Sequence, residues 1–171
     1  MRRLLCDVIE NTPVGVVAVV SRGRRVLSVF IGLESKLAAA RDFRRLFPGA
    51  KVAPRRTPAG AQLRQYFAGK RRTFRVKCAL DGLPPFHRKA LAACRKIPFG
   101  KVVSYKELAR AAGSPRAVRA VGQALKCNPL PIIVPCHRVV AARAIGGFSA
   151  PGGLRTKRSL LRLEGALPLA R

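Results

Sequence analysis

Apolar and polar positions over the first 80 residues predict a segment of mixed α and β structure. Residues 14–20 and 25–31 are runs rich in β-branched side chains, and the polar residues 21–24 between them include a glycine, which predicts a β-hairpin. A helical pattern opens at Ser35. A second helix is predicted over residues 57–69, because it begins with Thr-Pro and closes with Ala-Gly.

The pattern changes character after residue 70. Residues 70–77 are rich in lysine and arginine and predict a linker that runs into an exposed strand. Beyond it, short helical patterns begin, the first over residues 86–96. We therefore expect an α+β fold with an N-terminal α/β scaffold domain at residues 1–80. A mainly helical domain follows at residues 81–171.

Two neighbouring helical patterns in the second domain form a candidate helix-turn-helix. Ser104 and Glu107 have the spacing of a capping box, and the helix that they begin runs to Gly113. The second helix is predicted over residues 116–126. Its polar side chains are Arg116, Arg119, Gln123 and Lys126. Helical hairpins are common and charged runs are usually solvated faces, so the pattern alone leaves contact with DNA open.

The charge of the chain favours a polyanionic partner. The sequence has 35 Lys and Arg against 7 Asp and Glu, a net charge of +28. Such a field attracts nucleic acid. The alternative is an arginine-rich composition with no partner. An anionic membrane surface is a weaker candidate, since no basic amphipathic helix stands apart from the fold.

The cysteines and the start of the chain narrow the class of protein further. Five scattered cysteines do not form a disulfide framework, and with no CxxC and two distant histidines we expect no zinc site. We expect no metal and no organic cofactor. The first residues become acidic before a signal peptide can develop, and no apolar run is long enough for a bilayer. These features predict a reduced, soluble, cytoplasmic protein with no membrane partner.

One largely apolar run contains a cysteine directly before a histidine. Residues 130–140 are largely apolar and place Cys136 directly before His137. A thiol becomes a nucleophile as the thiolate, which a nearby histidine or positive charge favours. Adjacent side chains point in different directions, so a tight turn or a bridging water would have to link the two. The alternative is a buried, inert cysteine.

The string Pro-Cys-His-Arg-Val-Val at residues 135–140, after Asn128-Pro129, resembles the active-site signature of the O6-alkylguanine-DNA alkyltransferases. The resemblance extends over residues 86–165. It implies a ribonuclease H-like N-terminal domain and a helical domain that flips a damaged nucleotide out of the duplex. It also implies irreversible, stoichiometric transfer of the alkyl group to the cysteine, so that each molecule reacts once.

The same resemblance implies a role for individual residues. The expected catalytic group comprises Cys136, His137, Glu164, Asn128 and Tyr105. The expected DNA-binding residues are Arg119, which would fill the gap left by the flipped base, with Arg116, Ala120, Gly122 and Gln123. The expected walls of the base pocket are Val139, Phe148, Ser149 and Gly152.

Plainer interpretations of three catalytic candidates stay open at this point. Glu164 could form a surface ion pair with an arginine, Asn128 could merely end a helix, and Tyr105 could be a core or surface residue.

Other functions also stay open. The partner that we expect is double-stranded DNA containing O6-alkylguanine, bound by a monomer that associates with the nucleoid. The main alternative is a non-enzymatic protein that binds alkylated DNA without repairing it. A thiol hydrolase using Cys136 and His137 is a second alternative, but it gives no reason for the charge.

Overall fold

The computed structural model describes residues 3–48, 50 and 52–167. The chain divides into two compact units, Met1–Ala79 and Leu80–Arg171. Across the described residues the fold is mixed α and β, with a five-stranded sheet, a two-stranded sheet and six α-helices.

The first unit is built on the five-stranded sheet, in the order β4-β1-β2-β3-β5. Strands β1, β2 and β3 form an antiparallel meander, whereas β4 runs parallel to β1 and β5 runs parallel to β3. The strands are β1 (Leu4–Thr12), β2 (Gly15–Arg22), β3 (Arg25–Leu33), β4 (Val52–Pro54) and β5 (Lys77–Cys78). The predicted hairpin is β2 and β3, whereas β1 and β4 were not predicted.

Helices α1 (Lys36–Leu46) and α2 (Pro58–Phe67) complete this unit. Both begin where the sequence predicted, because the hydroxyls of Ser35 and Thr57 accept hydrogen bonds from backbone N–H groups of the first turn. Phe43 of α1 packs with Leu4 and Val20. Successive residues of a strand face opposite sides, and residues 17–20 of β2 are all buried, so the central strand is covered on both faces.

The described residues of the second unit contain four α-helices, one 3-10 helix and the two-stranded parallel sheet. Its elements are α3 (Pro85–Cys94), β6 (Val103–Ser104), α4 (Tyr105–Ala111), α5 (Val118–Lys126), a 3-10 helix (Cys136–Arg138), β7 (Val139–Val140) and α6 (Gly153–Leu163). The capping box is present as predicted, with Ser104 and Glu107 bonding reciprocally. Helices α3, α4 and α5 pack against one another. In the described part of the chain, no helix combines the length and the apolar character that crossing a bilayer would need.

Two predicted helix boundaries were wrong. The helix expected over residues 86–96 ends at Cys94, and residues 95–97 continue as turns whose backbone N–H groups bond three or four residues back. The helix expected from Arg116 begins only at Val118. Residues 114–117 form a turn closed by the N–H of Ala117 on the carbonyl of Ser114, because a proline at the second position of that turn presets its backbone. Arg116 therefore lies in the turn before α5.

Candidate active site

A cavity of about 320 Å³ opens beside Cys136 in the second unit. The cavity is lined by the C-terminal half of α5, from Gly122 to Lys126, and by Tyr105 at the start of α4. The loop of residues 147–149 also lines it and contributes Phe148 and Ser149. The pocket thus joins a thiol, a phenol and an aromatic ring, groups that suit a planar base.

Asn128 braces the turn that carries the thiol. Its side-chain amide donates to the carbonyl of Val134 (2.9 Å) and to Sγ of Cys136 (3.2 Å), and its oxygen accepts from the N–H of Leu130 (3.0 Å). The helix before it ends at Lys126, so Asn128 does more than terminate α5. Ile132 in the same turn has φ 72°, a left-handed backbone that a β-branched residue rarely adopts, so this segment stores strain beside the site.

Cys136 begins the 3-10 helix and its side chain faces the pocket, with 9% of the residue exposed. Burial raises the pKa of its thiol. The hydrogen bond from Asn128 and the positive charge of Lys157 act in the opposite direction and favour the thiolate. The thiol is therefore held mainly protonated at neutral pH, with groups in place that stabilise the anion once the proton leaves.

His137 is fully buried and bonds to Glu164. Its Nε2 lies 2.8 Å from Oε1 of Glu164, while Nδ1 is buried without a hydrogen-bond partner among the described residues. Burial lowers the pKa of His137, the carboxylate of Glu164 raises it, and the positive charges of Arg138 and Lys157 lower it further. The imidazole is neutral at pH 7, and a proton on Nε2 directed to Glu164 leaves the Nδ1 lone pair as the base.

Glu164 accepts hydrogen bonds on both oxygens. The guanidinium of Arg138 donates to Oε2 (2.7 Å) and to Oε1 (2.9 Å), and the N–H of Gly100 lies 3.3 Å from Oε2. Burial by itself would raise the pKa of Glu164, but the bonds from His137 and Arg138 and their charges hold it well below its usual range. Glu164 is thus a permanent carboxylate. Its ion pair with an arginine is buried, not on the surface as the plainer interpretation required.

Lys157 is a buried cation that the sequence analysis missed. It is fully buried, and its ammonium donates to the carbonyls of Val139 (2.6 Å) and Gly147 (3.1 Å). Burial lowers its pKa to about 8, and the charge of Cys136 opposes that shift. Lys157 therefore ties the pocket loop to β7 and places positive charge near the thiol.

The remaining pocket candidates divide into two groups. Tyr105 lines the cavity, and burial raises the pKa of its phenol, with the charge of Cys136 adding to the shift, so the hydroxyl stays a donor at neutral pH. Phe148 and Ser149 also line it. Val139 and Gly152 are not among its lining residues: Val139 lies in β7, and Gly152 caps α6 with φ 79°.

Helix α5 presents a distinct exposed face. Arg119, Ala120 and Gln123 are exposed, whereas Val121 and Ala124 on the other side are buried. A Cβ added at Gly122 would meet no atom within 4 Å, so the glycine leaves open space where the helix borders the pocket. Ala120 is exposed, so it does not serve core packing.

Arg138 and Lys157 were both missed because buried cations are rare. A signal for Lys157 did exist, since Lys157, Leu160, Leu161 and Glu164 are spaced i, i+3, i+4, i+7 along one face of α6. A charged residue at each end of an apolar stripe indicates that both charged side chains lie on the buried face of the helix. Within the described ranges, no three His, Cys, Asp or Glu side chains cluster as a metal site would require.

Comparison with known proteins indicates the family to which the chain belongs. The family model for the DNA-binding domain of 6-O-methylguanine DNA methyltransferase matches residues 85–166. The constitutive methylated-DNA–protein-cysteine methyltransferase of Bacillus subtilis is 38% identical over 157 residues, which cover 90% of this chain and 92% of the relative. The Archaeoglobus fulgidus methylated-DNA–protein-cysteine methyltransferase is 44% identical over 108 residues, covering 61% of this chain and 71% of the relative.

Solved structures agree over nearly the whole chain. The crystal structure of Mycobacterium tuberculosis O6-methylguanine methyltransferase is 31% identical, with a TM-score of 0.78 over 98% of this chain and 96% of that one. The M. tuberculosis OGT in complex with DNA is 32% identical, with a TM-score of 0.76 over 95% of this chain and 93% of that one. The chain therefore belongs to the methylated-DNA–protein-cysteine methyltransferase family of DNA-repair proteins.

Proposed function

We propose that this chain repairs O6-alkylguanine in double-stranded DNA by moving the alkyl group to Sγ of Cys136. The observation that carries the proposal is the position of Cys136 beside a base-sized pocket, with the Asn128 amide on its sulfur and the charge of Lys157 nearby. This geometry and the family resemblance both support the expected group of catalytic residues, which are Cys136, His137, Glu164, Asn128 and Tyr105.

Binding of duplex DNA would begin at α5. An alkylated O6 lies inside the base stack, so the nucleotide has to be extruded before the thiol can reach it. In the proposed role, α4 and α5 act as the helix-turn-helix, and Arg119 enters the stack in place of the flipped base. The small side chains of Ala120 and Gly122 let the helix backbone approach the duplex, and Gln123 and Arg116 contact it beside them.

The flipped guanine would then occupy the pocket against Phe148. The hydroxyl of Ser149, which lines the pocket, is the proposed contact for O6, and the carbonyl of Val139 is the proposed acceptor for the guanine amine. That carbonyl already accepts a hydrogen bond from Lys157, and a carbonyl oxygen has a second lone pair for the base. Gly152 would contribute indirectly, by starting α6 behind the loop.

The reaction is a displacement at the alkyl carbon. Sγ of Cys136 loses its proton to Nδ1 of His137 through a bridging water, as the family resemblance implies. The sulfur forms a bond to the alkyl carbon while the bond from that carbon to O6 breaks, and its electron pair stays on the guanine. The guanine takes a proton from the Tyr105 hydroxyl, which the imidazolium of His137 restores. Glu164 orients the imidazole and, held by Arg138, never takes the proton itself.

The product explains why one molecule would act once. A thioether carries no acidic proton and offers no leaving group that water can displace at neutral pH, so Cys136 is not regenerated. No metal or organic cofactor takes part in any of these steps. We propose that the first unit is a scaffold with a ribonuclease H-like fold. The protein would act as a monomer, and its binding to DNA would associate it with the nucleoid.

The decisive experiment mixes the protein with a duplex containing O6-methylguanine and measures its intact mass. We expect a gain of one methyl group per molecule, mapped to the peptide that contains Cys136 and absent in Cys136→Ala. Cys127→Ala is the matched control, because Cys127 is an exposed thiol that the mechanism does not use. Tight binding without a change in mass would instead establish a protein that recognises the lesion without repairing it.

A further inference from the structure

Half of the positive charge of the chain lies outside the unit that contains the pocket. Residues 1–79 contain 18 Lys and Arg against 4 Asp and Glu, a net charge of +14, and residues 80–171 carry the other +14. The expected DNA-binding residues, from Arg116 to Gln123, all belong to the second unit. The function proposed above therefore leaves the charge of the first unit without a role.

One end of the sheet in the first unit carries a cluster of exposed cations. The turn that joins β2 to β3 carries Arg22, Arg24 and Arg25, all exposed, and Lys77 at the start of β5 is exposed beside them. We call these four residues the hairpin surface. The exposed acidic residues of the sheet strands, Glu10 and the adjoining Glu34, lie at the opposite end, where β1 and β3 finish.

Strand register places three of these cations side by side. Arg22 is directly opposite Arg25 across the β2–β3 pair, and Arg25 is directly opposite Lys77 across the β3–β5 pair. Partners in register project from the same face, and neighbouring strands lie about 4.8 Å apart, so the row is roughly 10 Å long. The strand register therefore gathers positive charge on one face at this end of the sheet, where an external anion can approach it.

The chemistry of the surface narrows the partner to a phosphate backbone. Guanidinium groups bind phosphate oxygens with two parallel hydrogen bonds. Residues 22–25 include no aromatic side chain that could stack on an unpaired base and no apolar side chain that could enter a bilayer. A surface with only cations contacts the backbone of a duplex without reading its sequence.

We propose that the hairpin surface is a second DNA-contact site, which binds the phosphate backbone of duplex DNA independently of the helix α5 face. Its role would be to strengthen non-specific association, so that the protein stays on DNA while it searches for damage. The proposal concerns binding alone and does not depend on whether Cys136 accepts an alkyl group.

The test compares two triple variants of equal net charge. Arg22→Gln/Arg24→Gln/Lys77→Gln removes three cations of the hairpin surface. The control, Arg41→Gln/Arg55→Gln/Arg56→Gln, removes three exposed arginines from α1 and from the segment after β4, in the same unit. Circular dichroism and thermal unfolding establish that both variants are folded. The measured quantity is the affinity for an undamaged duplex between about 50 and 200 mM salt.

Each phosphate contact contributes about 0.9 to the slope of log affinity against log salt concentration. We expect the slope of the hairpin variant to become shallower by up to about 2.7 and that of the control to stay at the wild-type value. Equal changes in both variants would mean that charge acts only as a diffuse field, and no change in either would mean that the first unit does not touch DNA. If the hairpin variant binds anionic lipid vesicles more weakly than wild type does, while its affinity for the duplex is unchanged, the surface would be assigned to a membrane and the proposal would be overturned.

Discussion

The buried ammonium of Lys157 makes a quantitative prediction about stability and pH. Its pKa in the folded protein is about 8, against an ordinary value of 10.5 in the unfolded chain. Because the folded pKa is the lower one, the unfolded state binds more protons between these values, and the contribution of Lys157 to stability rises with pH through this window. A shift of this size corresponds to about 3 kcal/mol of destabilisation while the lysine is charged.

Lys157→Met removes this contribution while keeping most of the side-chain volume. Wild type should therefore gain about 2 kcal/mol of unfolding free energy relative to the variant between pH 7.5 and 9.5. The measurement is urea denaturation of both proteins at several pH values across this range. The other ionisable groups are present in both proteins, so their contributions largely cancel in the difference.

Arg158→Met is the matched control, because Arg158 is the next residue of α6 and is exposed. Its difference from wild type should not change with pH. A difference between wild type and Lys157→Met that is flat across the range, or that shrinks as the pH rises, would refute the reasoning. It would mean that the ammonium is solvated and cannot act on the thiol as a buried charge.

Two further predictions concern other buried charges. In Arg138→Met the pKa of His137 should rise, because a positive charge that opposes the imidazolium is lost; imidazole NMR measures it with the second histidine of the chain as an internal reference, and an unchanged or lower value contradicts the assignment. Gly60→Ala should lower the free energy of unfolding by about 1–3 kcal/mol, because an added Cβ would collide with the Asp7 carboxylate. Gly122→Ala is its control: with open space around that position, it should leave stability unchanged or raise it by up to about 1 kcal/mol, and equal losses in the two would exclude the collision.

The features predictable from sequence were those fixed by neighbouring residues. The helix starts at Ser35, Thr57 and Ser104 were confirmed, because a capping hydroxyl and its backbone partner lie within three residues. The β2–β3 hairpin was confirmed because its two apolar runs flank a short turn. Strand β1 was missed for the opposite reason. Its buried Asp7 interrupts the apolar pattern, and the groups that satisfy the carboxylate lie some 50 residues away on α2 and at its cap.

The same distinction applies to the candidate site. Cys136 and His137 are adjacent in the sequence and can be recognised there as a candidate pair. Residues that determine their chemistry, such as Glu164, lie far from them along the chain. Glu164 is 27 residues from His137, and its buried contact with Arg138 depends on how α6 packs against the 3-10 helix. That packing cannot be inferred from a single sequence. From the sequence alone, the buried Arg138 is therefore indistinguishable from the many arginines on the surface.

The carboxylate of Glu164 also decides how an inert form of the protein should be made. It joins the end of α6 to the 3-10 helix and, through the N–H of Gly100, to the segment that precedes β6. Replacing it would remove anchors from three parts of the unit as well as the orientation of an imidazole. Cys136→Ser changes a single atom and leaves those anchors in place. It is therefore the better starting point for trapping a damaged duplex on the protein for structure determination.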